Sequence, residues 1–111
     1  MSFFQQTQQT QIVRIDAENT VTIRKLTFGE SQEVLSESLA IDVAERDAQF
    51  DFARNQSAKL VRAVVAWDGP GFEGRPVTRE NILALPVEVG QAIVKAVEEL
   101  NAGMSEPEQK N

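Results

Sequence analysis

The side chains that most often carry acid–base, nucleophilic or metal chemistry are missing here: the sequence has no histidine and no cysteine. That removes an imidazole base, a thiolate nucleophile, cysteine-ligated zinc and any disulfide. Carboxylates remain. Glu30, Glu33 and Glu37 recur at helical spacing and read as a solvated face, because acid–base work needs a cleft that the surrounding sequence does not supply. Asp42, Glu45, Asp47 and Asp51 are dense in acid. They lack the alternate-position ladder closing on a glycine and a distant Glu that a calcium loop uses. No catalytic, cofactor or metal site is expected, and the chain does not read as an enzyme.

The stretch Trp67-Asp68-Gly69-Pro70-Gly71-Phe72-Glu73-Gly74-Arg75-Pro76-Val77-Thr78 is the other place where residue types and spacing invite chemistry. It holds three of the six glycines, two of the four prolines and the only tryptophan. Gly69-x-Gly71-x-x-Gly74 matches the dinucleotide fingerprint in letters but not in context. The fingerprint must open a long helix, and Pro76 pushes Arg75 away from helical angles where that helix should run. A phosphate loop fails too, since Arg75 and Pro76 stand where Lys and a hydroxyl are needed, and Glu73 would face phosphate with like charge. Two readings remain. In one the stretch is a stiffened connection, with Phe72 tucked beside Trp67 and Glu73-Gly74 as a turn. In the other it presents Phe72 and Arg75 to a partner, Trp67 supporting them.

Around this stretch the expected architecture is α+β: an N-terminal β-hairpin packed on about three helices in a single domain. Val13, Ile15, Val21 and Ile23 alternate with polar residues, and a three-residue loop Ala17-Glu18-Asn19 would set Ile15 opposite Val21 and Val13 opposite Ile23. Asn19 would then take the left-handed position. Thr27-Phe28-Gly29-Glu30 is a capping box opening a helix to about Leu39, with Phe28, Leu35 and Leu39 as its buried stripe. Ile41, Val43, Phe50 and Phe52 suit a second short hairpin turning at Arg46-Asp47. Ala53 to Trp67 reads as the central helix, with Leu60, Val61, Val64 and Trp67 on one stripe, although its Val content also suits a strand. Thr78 opens a helical turn to Leu85. Pro86 starts a last helix whose stripe is Val89, Ile93, Val97 and Leu100, ending at Gly103.

The 111 residues fit one core, reached by burying roughly two-thirds of the unfolded surface. Residues 1–10 read as a loose arm whose Phe3 and Phe4 could dock on a partner or a neighbouring copy, residues 11–103 as the domain, and residues 104–111 as a disordered tail. A net charge of -6 with no basic run argues against nucleic acid. No apolar run is long enough to span a bilayer, and Met1 to Gln11 lacks the basic start and apolar core of a signal peptide.

The pattern Trp67-x-Gly69-Pro70-Gly71-Phe72-x-Gly74-Arg75-Pro76-Val77-Thr78-x-x-Asn81-x-x-x-Leu85-Pro86, followed by Val89-Gly90 and Leu100-Asn101, resembles phage tail assembly chaperones of long-tailed bacteriophages. Arg24-Lys25-Leu26-Thr27-Phe28-Gly29-Glu30 is similar to that family's early segment. The resemblance implies a small acidic protein of the host cytoplasm without catalytic residues. It implies binding to the tape measure protein and to tail tube subunits during assembly, and departure before the virion is complete. Self-association, and a role as a structural tail component or small adaptor with the same loop, stay open at this point.

Overall fold

Val21 and Ile23 point from the middle strand of a three-stranded antiparallel sheet into the core, where both are fully buried. The computed structural model describes residues 2–6, 9–42 and 47–102. Along the chain it places α1 (Phe3–Gln6), β1 (Thr10–Arg14), β2 (Thr20–Arg24), α2 (Phe28–Glu37), β3 (Leu39–Asp42) and β4 (Asp47–Phe50). Then come α3 (Phe52–Ala63), β5 (Val64–Asp68), a 3-10 turn at Pro70–Phe72, α4 (Arg79–Leu83) and α5 (Val87–Ala102). The main sheet has the order β1-β2-β5, and β3 and β4 form a separate antiparallel hairpin. The fold is α+β, as the alternation of periods predicts. Its core joins Val21 and Ile23 to Leu60, Ala63 and Val64, to Ile82, and to Ile93, Val94 and Val97 of α5.

The first hairpin forms, but in a different register. Val13 pairs with Val21 and Gln11 with Ile23, so the connection runs from Ile15 to Asn19 and is longer than three residues. The shift is by two, so every side chain keeps its face. Val13 and Ile15 remain half-buried against the core. Asn19 is not left-handed; among the described residues the only non-glycine with positive φ is Glu73.

Two helices depart from expectation. The helix expected to run from Ala53 to Trp67 stops at Ala63, and the next five residues are strand β5, paired antiparallel with β2. Val64 gives its N–H to the Leu60 carbonyl as the last helical bond and opens the strand in the same step. No Gly or Pro marks the change. The β-branched pair Val64-Val65 and the open edge of β2 decide it. Trp67, now on the strand, is still largely buried and packs against the core.

In α2 the expected stripe is turned outward: Phe28, Leu35 and Leu39 are exposed, and Val34 is the buried residue. Arg62 of α3 meets the face that results. It holds Glu33 at 3.3 Å and also bonds Glu37, while another guanidinium nitrogen donates to the Ala58 carbonyl at 3.1 Å. Partial burial works against the Arg62 charge, yet the two carboxylates more than offset it and raise the pKa. Beside this contact Ser38 is fully buried. Its hydroxyl donates to the Val34 carbonyl at 2.5 Å and accepts from Asn55 Nδ2 at 2.9 Å. Its carbonyl accepts the Asp51 N–H, which closes the base of the β3–β4 hairpin.

Other local expectations hold. Thr27 and Glu30 form the full capping box and Thr78 caps α4, while Asp51, not assigned as a cap from the sequence, caps α3. The α5 stripe is inward, with Ile93 and Val97 fully buried and Val89 and Leu100 packed at its ends. The amino-terminal stretch contains the turn α1, and Phe3 and Phe4 are exposed. Arg46 of the second turn, Gly103 and the tail from Met104 lie outside the described residues.

Glu30 carries a second task. Its carboxylate holds Arg24 through two bonds of 2.8 and 2.6 Å while accepting the Thr27 N–H. The Arg24 contact lowers its pKa from 4.5 to about 2. A depressed carboxylate stabilises the fold above its unfolded pKa, and that stabilisation is lost as pH falls from 4.5 toward about 2. Glu30→Gln keeps a capping side chain but removes the ion pair. In an acid titration followed by circular dichroism it should flatten the fall in stability across this window, whereas a profile parallel to the unmodified protein would show that the pair contributes nothing.

Candidate functional site

The glycine-rich connection is a closed hydrogen-bonded structure. It starts from Trp67, which pairs with Val21 in the sheet. Gly69 then turns the chain at φ 126°, an angle that L side chains rarely adopt. Pro70-Gly71-Phe72 forms the 3-10 turn, with the Phe72 N–H on the Gly69 carbonyl and the Glu73 N–H on that of Pro70. Glu73 and Gly74 both take positive φ, and the Arg75 N–H closes on the Phe72 carbonyl at 2.9 Å. This is the tight turn expected at Glu73-Gly74.

One side chain from the hairpin tip holds this loop in place. Asn19 Oδ1 accepts the Gly71 N–H at 2.8 Å, and Asn19 Nδ2 donates to Asp16 at 2.9 and 3.0 Å. The Asp16 carboxylate also receives the N–H groups of Glu18 and Asn19. These bonds hold its pKa below the usual range, the Glu18 N–H being the largest cause. The packing is close enough to demand glycine. A Cβ at Gly69 would collide with the Asn19 side chain and the Glu18 carbonyl, and one at Gly71 would stand 2.9 Å from Asn19 Oδ1.

The rings complete the unit. Phe72 is buried and stacks on Trp67, with centroids 4.8 Å apart and planes 5° from parallel. Trp67 Nε1 donates to the Arg75 carbonyl at 2.7 Å. Further on, Asn81 Nδ2 reaches the Pro76 carbonyl at 2.9 Å and its backbone N–H goes to the Thr78 hydroxyl. Sequence reasoning brought Trp67, Phe72 and Arg75 together, and the structure does so. It also turns Phe72 inward, correcting the picture of an outward ring. Of the expected pair only the Arg75 side chain stands clear, making an exposed ion pair with Glu73 at 3.0 Å.

Beside the stacked rings lies a groove of about 220 Å³, lined chiefly by Trp67, Phe72, Arg75, Asn81, Leu85 and Pro86. Its lining is mixed, ring and proline surface beside the polar groups of Glu73, Arg75 and Asn81, and its size suits one large side chain. Phosphate chemistry does not fit here. The N–H groups of Phe72, Glu73 and Arg75 are spent inside the connection and that of Gly71 on Asn19. Asn19 and Asn81 are the contributors that sequence reasoning did not assign. Asn81 stands in the quoted motif, whereas Asn19 lies 52 residues from its partner and gives no local signal. A second exposed apolar patch lies elsewhere: Leu39 pairs with Phe50, whose ring meets Phe52 edge-on at 4.7 Å.

No family model, curated protein or solved structure matches the chain. Among the described residues no helix is long and apolar enough to cross a membrane.

The clamp predicts an order among glycine substitutions. Gly74→Ala faces open space and carries only the left-handed penalty of about 1–2 kcal/mol. Gly69→Ala adds a collision with Asn19 and Glu18, so urea denaturation should show a clearly larger loss. Equal losses at the two positions would mean that the Asn19 contact does not constrain the loop.

Proposed function

We propose that this protein is a non-catalytic tail assembly chaperone of a long-tailed bacteriophage. It acts in the host cytoplasm and keeps the tape measure protein, and with it tail tube subunits, soluble until the tube is built. The motif from Trp67 to Pro86 supports this reading by resemblance. The observation that carries it structurally is the groove over the Trp67–Phe72 stack, with Arg75 exposed at its edge and paired only with exposed Glu73. A tape measure protein is a long helical chain with exposed apolar stripes. A small groove that sets ring and proline surface beside polar groups takes one anchoring side chain of such a helix and leaves the polar face wet. Net negative charge keeps the complex soluble.

In this reading Trp67 and Phe72 form the floor and Arg75 is the contact residue. Arg75 can be tested cleanly because its structural work is done by its backbone. The Trp67 indole bonds the Arg75 carbonyl, not its side chain. The Glu73 pair is exposed, and such pairs contribute little. Arg75→Ala should therefore change stability by no more than about 0.5 kcal/mol, as surface substitutions do. Co-expressed with the tape measure protein of the same phage, it should recover at least about tenfold less soluble complex, the scale of an interface hot spot. Undiminished capture by a normally folded Arg75→Ala protein would remove the groove from the binding surface. Fixed-copy recovery of the protein in purified virions would replace the chaperone with a structural tail component.

A further inference from the structure

Strand β1 ends the main sheet, and no described strand pairs with its outer edge. The ladder shows which backbone groups that edge offers. Ile15 gives its N–H to the Asn19 carbonyl at 2.9 Å, and the same register continues through Val13–Val21 and Gln11–Ile23. Antiparallel pairs alternate between bonded and non-bonded positions. Val13 and Gln11 therefore spend their N–H and C=O groups on β2. Those of Thr10, Ile12 and Arg14 point away from the sheet.

We infer that β1 is a homodimer interface, pairing antiparallel with β1 of a second copy about a two-fold axis through Ile12. The strand is self-complementary in that register. Ile12 sits at the centre of the five residues, so it bonds the partner's Ile12 reciprocally, and Thr10 bonds the partner's Arg14. No like charges meet, because Arg14 is the only charged residue of β1 and one of its guanidinium nitrogens turns back to the Ala17 carbonyl at 3.3 Å. Ile12, 68% exposed on the outer face, gains its counterpart as a neighbour. On the core face half-buried Val13 gains the partner's Gln11.

The opposite edge of the sheet argues for the same choice. Strand β5 carries a bulge between the pairs Thr22–Ala66 and Ile23–Val64, and it ends on Asp68. Bulges and charges are the usual devices that stop an edge from pairing. Strand β1 has a regular register, no proline and a single charge. One edge is blunted and the other is left open. A contact built on one strand is small, so the dimer is reversible and depends on concentration. This inference does not depend on the chaperone reading.

Because the chain has no cysteine, single-cysteine variants report the register directly. Facing residues of a bonded pair have Cα atoms about 5.5 Å apart, within the range a disulfide spans. Ile12→Cys should cross-link to a dimer under mild oxidation. Thr10→Cys and Arg14→Cys should each fail alone, since identical positions then lie about 13 Å apart at about 3.4 Å per residue. Mixed together, those two should cross-link. Sedimentation equilibrium of the unmodified protein should show mass rising toward two chains with concentration. Ile12→Pro removes only an outward N–H, which edge strands tolerate, and should stay monomeric. A strictly monomeric unmodified protein, equal cross-linking of all three single variants, or a folded Ile12→Pro that still dimerises would each overturn the inference. If Ile12→Pro does not fold, the cysteine pattern alone decides.

Discussion

The carboxamide of Asn19 is the constraint on which the arrangement of the site depends. It stands at the tip of the first hairpin, anchored by Asp16 below and bonded to the Gly71 N–H above. Through it the sheet, whose buried residues hold the core together, fixes a connection that has little core of its own. Gly69 and Gly71 are glycines because that carboxamide needs their space. Once the loop is seated, Phe72 lies on Trp67 and the Arg75 carbonyl meets the indole N–H. The groove is the space left beside this closed unit, walled on its far side by Leu85 and Pro86.

This changes what the motif means physically. Most of its named positions have an internal partner: Trp67 with Phe72 and Arg75, Gly71 with Asn19, Asn81 with Pro76, Thr78 with the first turn of α4. Asn101, at the end of the pattern, caps the Leu26 N–H at 3.0 Å and ties α5 to the segment before α2. A motif with this much internal bonding builds a rigid shape. In the proposed chaperone role, recognition would fall to the few side chains that the shape does not use, Arg75 the clearest of them in the connection. A rigid loop loses less entropy on binding than a mobile one, which that role would use.

Local signals in the sequence were read well where they were complete within a few residues. The capping box at Thr27-Glu30 and the turn at Glu73-Gly74 need no distant partner. The α5 stripe was plain because its inward residues repeat over about three turns. The hairpin register could not be fixed, because registers two residues apart bury the same side chains and only the loop geometry separates them. The end of α3 was invisible for a different reason. Helix passes to strand at Val64 without a Gly or Pro, and the strand exists because β2 has an edge to fill. In α2 the expected stripe of Phe28, Leu35 and Leu39 turned outward, and the contacts on the other side, Ser38 with Asn55 and Glu37 with Arg62, come from α3 far along the chain. For the site, the Trp67–Phe72 contact was legible from spacing. The role of Asn19 was not, since it depends on where a distant hairpin tip falls.

The hairpin tip seats the connection through Asn19. Amide and indole hydrogen exchange measured by NMR tests this most directly. In the unmodified protein the Gly71 N–H and the Trp67 indole N–H should both be protected. In Asn19→Ala both should exchange faster together, while the N–H groups of Val21 and Ile23 keep most of their protection. Protection of Gly71 and the Trp67 indole that survives the loss of Asn19, in a variant whose sheet is intact, would contradict it.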